Sequence, residues 1–361
     1  MCTSKATSVS NRKGRKMTTD FHTKDSTETE KKKKMKCRLI SYMDLPEYMK
    51  DNEYILQYYR AEWPLKEAFL SLFRWHNETL NIWTHLIGFL LFLALTIVNL
   101  DGVPRLGDLF SKFTRSFPLT SDANASHISS NFLSRTLQES VKVIDLETTI
   151  SPDNTSRMAA RWPFFVFLGG SMFCLLSSSI CHLLGCHSHR LSLFLLRVDY
   201  AGIAVMIVAS FFPPIYYIFQ CDPHWQFIYL ALITAMGVFT VLTLLSPPLS
   251  SGAFRAFRAM LFLAMGFSGI VPAIHALVLN WSNPQCPITL AYELLMALSY
   301  VTGTLFYVSR IPEKWKPGLF DLAGHSHQIF HVFVIGGALA HYAATLIFLE
   351  WRDRVGCNKV I

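Results

Sequence analysis

The residues in this chain best suited to chemistry are histidines. His327 and His331 stand four apart in HSHQIFH, residues 325–331, at the mouth of the last apolar run. On a helix their imidazoles share one face about a turn apart, a spacing that can hold a metal ion. A third imidazole, His182, closes the run SSSICH much earlier, with Ser178 and Asp199 near it in sequence. Three neutral imidazoles leave the fourth position of a tetrahedral zinc open, which is the arrangement of a catalytic site; a structural site would close it with another side chain. Zinc polarises a carbonyl and lowers the pKa of water to about 7, the chemistry of amide or ester hydrolysis. Asp199 is then the group to orient that water or take its proton. Strongly polar side chains are costly at membrane depth, so several together are read as a functional site. The natural substrate at that depth is a lipid.

These residues are far apart in sequence, and the segments between them must bring them together. The chain has 361 residues, 51% hydrophobic and 16% charged, with a mean hydropathy of +0.30; soluble domains carry about 25% charge. The expected fold is an all-α membrane protein, a seven-transmembrane-helix bundle. Apolar runs at about 79–99 (Leu80 through Leu100), 162–184, 196–219, 226–246, 257–279, 288–309 and 327–349 come near the ~20 residues that cross ~30 Å of hydrocarbon.

Basic residues orient the spans. Arg190 and Arg197, Arg255 and Arg258, and Arg310, Lys314 and Lys316 fall on one side, whereas the loops around Asp222 and Asn283 carry no Lys or Arg. Arg352, Arg354 and Lys359 oppose this but are outweighed, so the amino terminus is expected to be cytoplasmic and the carboxyl terminus outside. An even-numbered span ends on the side where an odd-numbered one begins. His182 at the end of the second, Asp199 at the start of the third, and His327 and His331 at the start of the seventh therefore share one inner depth, with Ser178 a turn deeper than His182.

Each of these residues has a plainer alternative. A single histidine near a helix end is usually an interfacial hydrogen-bonding residue, and His187, His189 and His325, which fall in loops by spacing, are read that way. So are His85, His275 and His341, each standing apart in its helix. Asp199 could pair with Arg197, and Ser178 could bond a backbone carbonyl as helical serines do. Glu293, at the outer start of the sixth span, is expected to snorkel to the interface.

The net charge of +8 is concentrated in the first forty residues, densest at Lys31 to Lys34, Lys36 and Arg38. Residues 1–40 are expected to form a disordered basic cytoplasmic arm, attracted to anionic inner-leaflet lipids, with no secretory signal visible. Residues 41–77 follow as an amphipathic juxtamembrane segment of one or two helices, with Pro64 as a break or helix start. The bundle covers 78–349, including a long outer loop at 101–160, and 350–361 form a short outer tail. Expected partners are membrane lipids, a lipid substrate or hydrophobic ligand, and cytoplasmic signalling proteins bound through the amino-terminal region; no nucleic acid is expected. Of eight cysteines, Cys174, Cys181 and Cys186 read as small apolar filler, and Cys2 and Cys37 as candidates for palmitoylation. Cys221, Cys286 and Cys357 fall on the outer side, where one pair could form a disulfide that sequence does not select.

Asn124 and Asn154 head glycosylation acceptor patterns in the outer loop, and Asn77 heads one on the inner side. A glycosidase-sensitive shift in gel mobility is expected to map to Asn124 or Asn154; modification at Asn77 would invert the topology. A retinal protein is excluded, since residues 327–349 contain no Lys for a Schiff base, and an ordinary G-protein-coupled receptor has the opposite orientation.

Set side by side, ETLNIWTH (78–85), SSICH (178–182), CHS (186–188), DYAGI (199–203), RIPEKWKPGLFD (310–321) and HSHQIFH (325–331) resemble the progestin and adipoQ receptor family, in order and in spacing. The resemblance runs from about 45 to 349 and points to the plant branch called heptahelical transmembrane proteins. It implies seven helices with the amino terminus inside and a zinc ion held by His182, His327 and His331, with Asp199 near its water and Ser178 a turn before the first histidine. It also implies receptor signalling in hormone, sugar or stress responses, and a ceramidase-like lipid amidase activity known from animal members. The long first outer loop departs from the compact loop of the animal receptors.

Overall fold

The computed structural model describes residues 37–100, 159–246, 249 and 252–357. Most of the basic arm, Cys2, most of the long loop, and Asn124 and Asn154 lie outside them. A short helix α1 (Leu65–Leu70) precedes α2 (Thr79–Leu100), α3 (Trp162–Leu184), α4 (His189–Ile218), α5 (Pro223–Leu244), α6 (Arg255–Phe267), α7 (Ile270–Asn280), α8 (Cys286–Ser309) and α9 (Ser326–Val355). With α6 and α7 taken as one, these give seven helices long and apolar enough to cross a membrane. At 1.5 Å per residue, the 22 residues of α2 reach roughly 33 Å and the 30 of α4 and α9 roughly 45 Å.

Helix α3 sits at the centre. Its Phe164, Phe167, Leu168, Cys174 and Leu175 pack with Phe92 of α2, Met206 of α4, and Val334 and Ala338 of α9. Two glycines let α3 and α4 approach closely: a Cβ on Gly202 would stand 2.6 Å from Ser177 Oγ, and one on Gly170 2.5 Å from the Ala209 Cβ. The spans α5 to α8 bury much less and turn Leu232, Phe239, Val271, Val278 and Leu294 outward, as lipid-facing helices do. Cys174, Cys181 and Cys186 are buried free thiols.

Several boundaries differ from the sequence expectation. Helix α4 already begins at His189, so His189, Arg190 and Arg197 are helical and not in a loop. The fifth span breaks at Ser268–Gly269, where the Ser268 hydroxyl donates to the Met265 carbonyl at 2.6 Å and competes with the helical ladder. Helix α9 runs on to Val355 and takes in half of the expected tail. The buried Arg352 holds its last turns by donating to the carbonyls of Tyr217 (2.6 Å) and Ile218 (3.0 Å) at the end of α4. A disulfide joins Cys221, just past α4, to Cys357, just past α9, with Cα atoms 5.4 Å apart; Cys286 stays free.

The expected amphipathic helices at 41–77 are mostly absent. This segment folds as two single 3₁₀ turns, Tyr42–Asp44 and Glu47–Met49, an antiparallel bridge between Ile40 and Tyr59, and α1. Pro46, Pro64 and the positive φ of Tyr58 (68°) and Glu62 (53°) interrupt any longer helix. Some of its apolar residues turn inward: Leu45, Ile55 and Tyr59 make one small core, and Trp63 and Ala68 pack on Cys186 in another, whereas Met43, Phe69, Phe73 and Trp75 stay exposed.

This segment caps one end of the bundle. The Arg60 guanidinium, 2% exposed, donates to the carbonyls of His182 (2.7 Å) and Leu183 (3.0 Å) at the end of α3. At the start of α9, fully buried Glu313 accepts from the Ser326 amide (2.7 Å) and hydroxyl, and from the Asn52 amide of the cap (3.1 Å). Cap and loop therefore fix the ends of the two helices that carry the histidines. Asn77 is 5% exposed in this cap, which leaves no room for a glycan.

His76 gives the cap a pH dependence. It is fully buried, its Nε2 donating to the Ser71 carbonyl (3.2 Å) and its Nδ1 accepting from the Glu78 amide (3.1 Å). Burial first, and the Arg60 guanidinium second, push its pKa from the ordinary 6.5 down to about 3. Between those values the unfolded chain binds a proton that the folded chain refuses, so this stability is complete above 6.5 and is lost as pH falls through about 3. The melting temperature is expected to drop between about pH 7 and about pH 4. The slope should flatten in His76→Gln, read by thermal melts in detergent.

Candidate metal centre

His182 closes α3 while His327 and His331 open α9, and the structure brings them together: one ring nitrogen from each lies within 4.8 Å of the others. The Nε2 atoms of His182 and His327 are 3.1 Å apart, and ring centroids are separated by 5.0 Å (182–327), 5.1 Å (182–331) and 4.6 Å (327–331). Tetrahedral zinc with Zn–N of about 2.0–2.1 Å sets its nitrogens roughly 3.3 Å apart, so this spacing suits an ion of that kind.

The far side of each ring decides which nitrogen is free. Nδ1 of His182 donates to Glu78 Oε2 at 2.8 Å, and Nδ1 of His331 donates to the Asn81 carbonyl at 3.2 Å, with Thr84 Oγ1 also at 3.2 Å. Protons held there leave Nε2 of both rings as bare lone pairs facing the cluster, the tautomers a metal requires. The Asn81 amide donates to the same Glu78 oxygen at 2.5 Å and holds the carboxylate in place.

Ser178 and Asp199 stand beside the cluster. Ser178 is the polar side chain beside the Asp199 carboxylate, and no ion pair joins Asp199 to Arg197 among the described residues. Both line a cavity of about 570 Å³ together with His327 and His331. Its walls are mostly apolar, among them Met206, Ile203, Phe330 and Val334, and suit a hydrocarbon chain.

Two residues read as bystanders from sequence are placed otherwise. His85 is 3% exposed and stacks on His331, centroids 3.5 Å apart and planes 8° from parallel, because α2 lays its face against α9. Glu293 does not snorkel; its carboxylate turns inward to His341 Nδ1 at 3.0 Å. His275 does bond the Tyr229 hydroxyl (2.9 Å) and His187 the Trp63 carbonyl (2.9 Å), away from the cluster. His325 caps α9 with its ring near the Asn77 carbonyl (3.5 Å), and burial lowers its pKa below the ordinary value. Sequence reasoning missed Glu78 as a partner of His182. Its signal was available: an acid at the mouth of the first span shares the depth of the histidines by the same parity.

A helical membrane protein of seven spans, with three convergent imidazoles at one end of the bundle beside an apolar cavity, is the class that this fold and site define. Residues 73–342 match the family described as haemolysin-III related. Heptahelical transmembrane protein 1 of Arabidopsis thaliana is 58% identical over 329 residues, spanning 90% of this chain and 86% of that protein. Heptahelical transmembrane protein ADIPOR1 of Oryza sativa subsp. japonica is 55% identical over 338 residues, 90% of this chain and 88% of that protein. The adiponectin receptor protein of Drosophila melanogaster is 32% identical over 307 residues, 84% of this chain and 58% of that longer protein. The chain belongs to the haemolysin-III-related family of progestin and adipoQ receptors and is an adiponectin-receptor-like heptahelical membrane protein.

Proposed function

We propose that this protein is a membrane signalling receptor whose His182, His327 and His331 hold a zinc ion, and that the site hydrolyses the amide of a long-chain lipid. The observation that carries this reading is the convergence of three ring nitrogens, with the opposite nitrogens of His182 and His331 already bonded, beside an apolar cavity that contains Asp199. Following the family resemblance, the setting we assign is hormone, sugar or stress signalling.

A bound zinc ion supplies Lewis acidity to a carbonyl and to water. Asp199 takes a proton from the attacking water and returns it to nitrogen as the carbon–nitrogen bond breaks, so amide plus water gives carboxylic acid plus amine. Ser178 holds the Asp199 carboxylate in place, and the cavity walls receive the acyl chain and keep bulk water out. We place the histidine end at the cytosolic leaflet. The basic residues near that end and a disulfide at the other, which suits an oxidising compartment, both support this orientation.

Glu78 orients His182 and raises its basicity. Glu78→Gln is expected to weaken zinc affinity about 10–100-fold, read by chelator competition with the helical circular dichroism unchanged.

A second reading, in which the ion is structural and the protein a non-catalytic receptor or scaffold, draws support from the cluster's position as a bridge between α3 and α9. Zinc content and fatty-acid release from a long-chain N-acyl amide, measured on protein in lipid nanodiscs, separate the two. One zinc with release supports catalysis, zinc without release leaves the structural role, and absence of zinc overturns both.

A further inference from the structure

The mechanism above leaves one buried ionisable pair unused. Glu293 of α8 and His341 of α9 meet inside the bundle, Nδ1 to carboxylate at 3.0–3.1 Å, with the His341 side chain 2% exposed. Both line the cavity that contains Asp199, His327 and His331. His341 lies ten residues beyond His331 on one continuous helix, about 15 Å along its axis.

An ionisable pair at membrane depth is expensive to maintain and marks a functional position unless its polar atoms are satisfied. These are not. Nε2 of His341 is buried without a hydrogen-bond partner, the edge of the pair being flanked by the Phe167 ring at 4.7 Å. With Nδ1–H given to the carboxylate, Nε2 offers a lone pair and Glu293 keeps further acceptor positions. With the ring neutral the pair is an acceptor site, and the group that satisfies it is a donor. Between it and the imidazole cluster the walls are largely apolar, with Ala297, Val301 and Val334 among them.

We propose that Glu293 and His341 form a second polar binding site of this cavity, which takes a hydrogen-bond-donating group, a hydroxyl or a protonated amine, on a long-chain amphiphile whose other end reaches the imidazole cluster. This deepens the functional reading above and rests on the cavity being the ligand's seat, but not on hydrolysis. The ligand class becomes a chain with polar groups separated by about 15 Å of hydrocarbon, and not a chain with a single head.

The test is competition against a fluorescent long-chain probe on the full protein in nanodiscs, using hexadecanol, hexadecylamine and methyl hexadecyl ether, whose chain matches but which has no donor. At least one donor is expected to bind about tenfold more tightly than the ether, the alcohol and amine arms telling a neutral donor from a charged one. Glu293→Gln and His341→Phe should each reduce that preference to about twofold or less, with zinc content unchanged. Equal binding of all three compounds by the wild type overturns the proposal, and this arm decides even if a variant fails to fold. Full preference retained in both variants overturns it as well. Loss of hydrolysis or of zinc with the preference intact would instead count against the functional reading alone.

Discussion

Alanine at His331 is expected to lower the zinc content of the purified protein from about one ion per chain to the level of a buffer blank. Loss of a partner behind a metal ligand already costs about 10–100-fold in affinity, and loss of a ligand costs more. His331 is held from two directions, by the Asn81 carbonyl at 3.2 Å and by the His85 ring stacked at 3.5 Å. Its removal therefore also opens a void beside His85, whose two ring nitrogens have no partners, and the melting temperature should fall. His327→Ala separates the two effects. His327 is only half-buried and does not stack on His85, so it should lose the ion with a smaller loss of stability. Metal analysis by mass spectrometry beside thermal melts checks both variants, and one zinc per chain retained in either would remove that histidine from the site.

Asn at position 199 is expected to reduce fatty-acid release by about 10²–10⁴, the range supplied by a positioned general acid–base group, while zinc stays bound. The change is isosteric and removes only the group that carries the proton. Ser178→Ala should cost less, because it loosens the carboxylate without deleting it. Activity of Asp199→Asn equal to wild type, at equal zinc content, would take the carboxylate out of the reaction and favour the structural reading of the ion.

The histidine cluster was legible because depth in a bilayer follows from counting spans. Parity alone puts His182 level with His327 and His331. Depth does not say which helices are lateral neighbours, and the misses arise there. His85 and Glu78 lie at the right height, but only the packing of α2 against α3 and α9 makes them second partners of His331 and His182. Glu293 was expected to reach for the interface, yet a histidine on the neighbouring helix offers it a partner inside the bundle. Cys221, Cys286 and Cys357 share a side by depth, and the choice among them follows from Arg352 drawing the end of α9 onto the end of α4.

The cap misled for another reason. Apolar residues recur at three or four positions through 41–75, as on an amphipathic helix, but two prolines and two residues with positive φ fold that stretch into short turns. Leu45, Ile55 and Tyr59 then face each other, Trp63 and Ala68 face the bundle end where Arg60 reaches the last carbonyls of α3, and Phe69, Phe73 and Trp75 stay exposed.

The bond between Cys221 and Cys357 makes the two longest helices a pair of calipers. Their pivot lies past Ile218 and Val355, and their far halves carry Asp199 on one arm and His327 and His331 on the other. The bond ties one end only, and the gap at the tips is kept by the packing of both arms on α3. Swelling of the chamber to admit a thick tenant then falls to the outer staves α6, α7 and α8, which bury only 11% of their most apolar stretches.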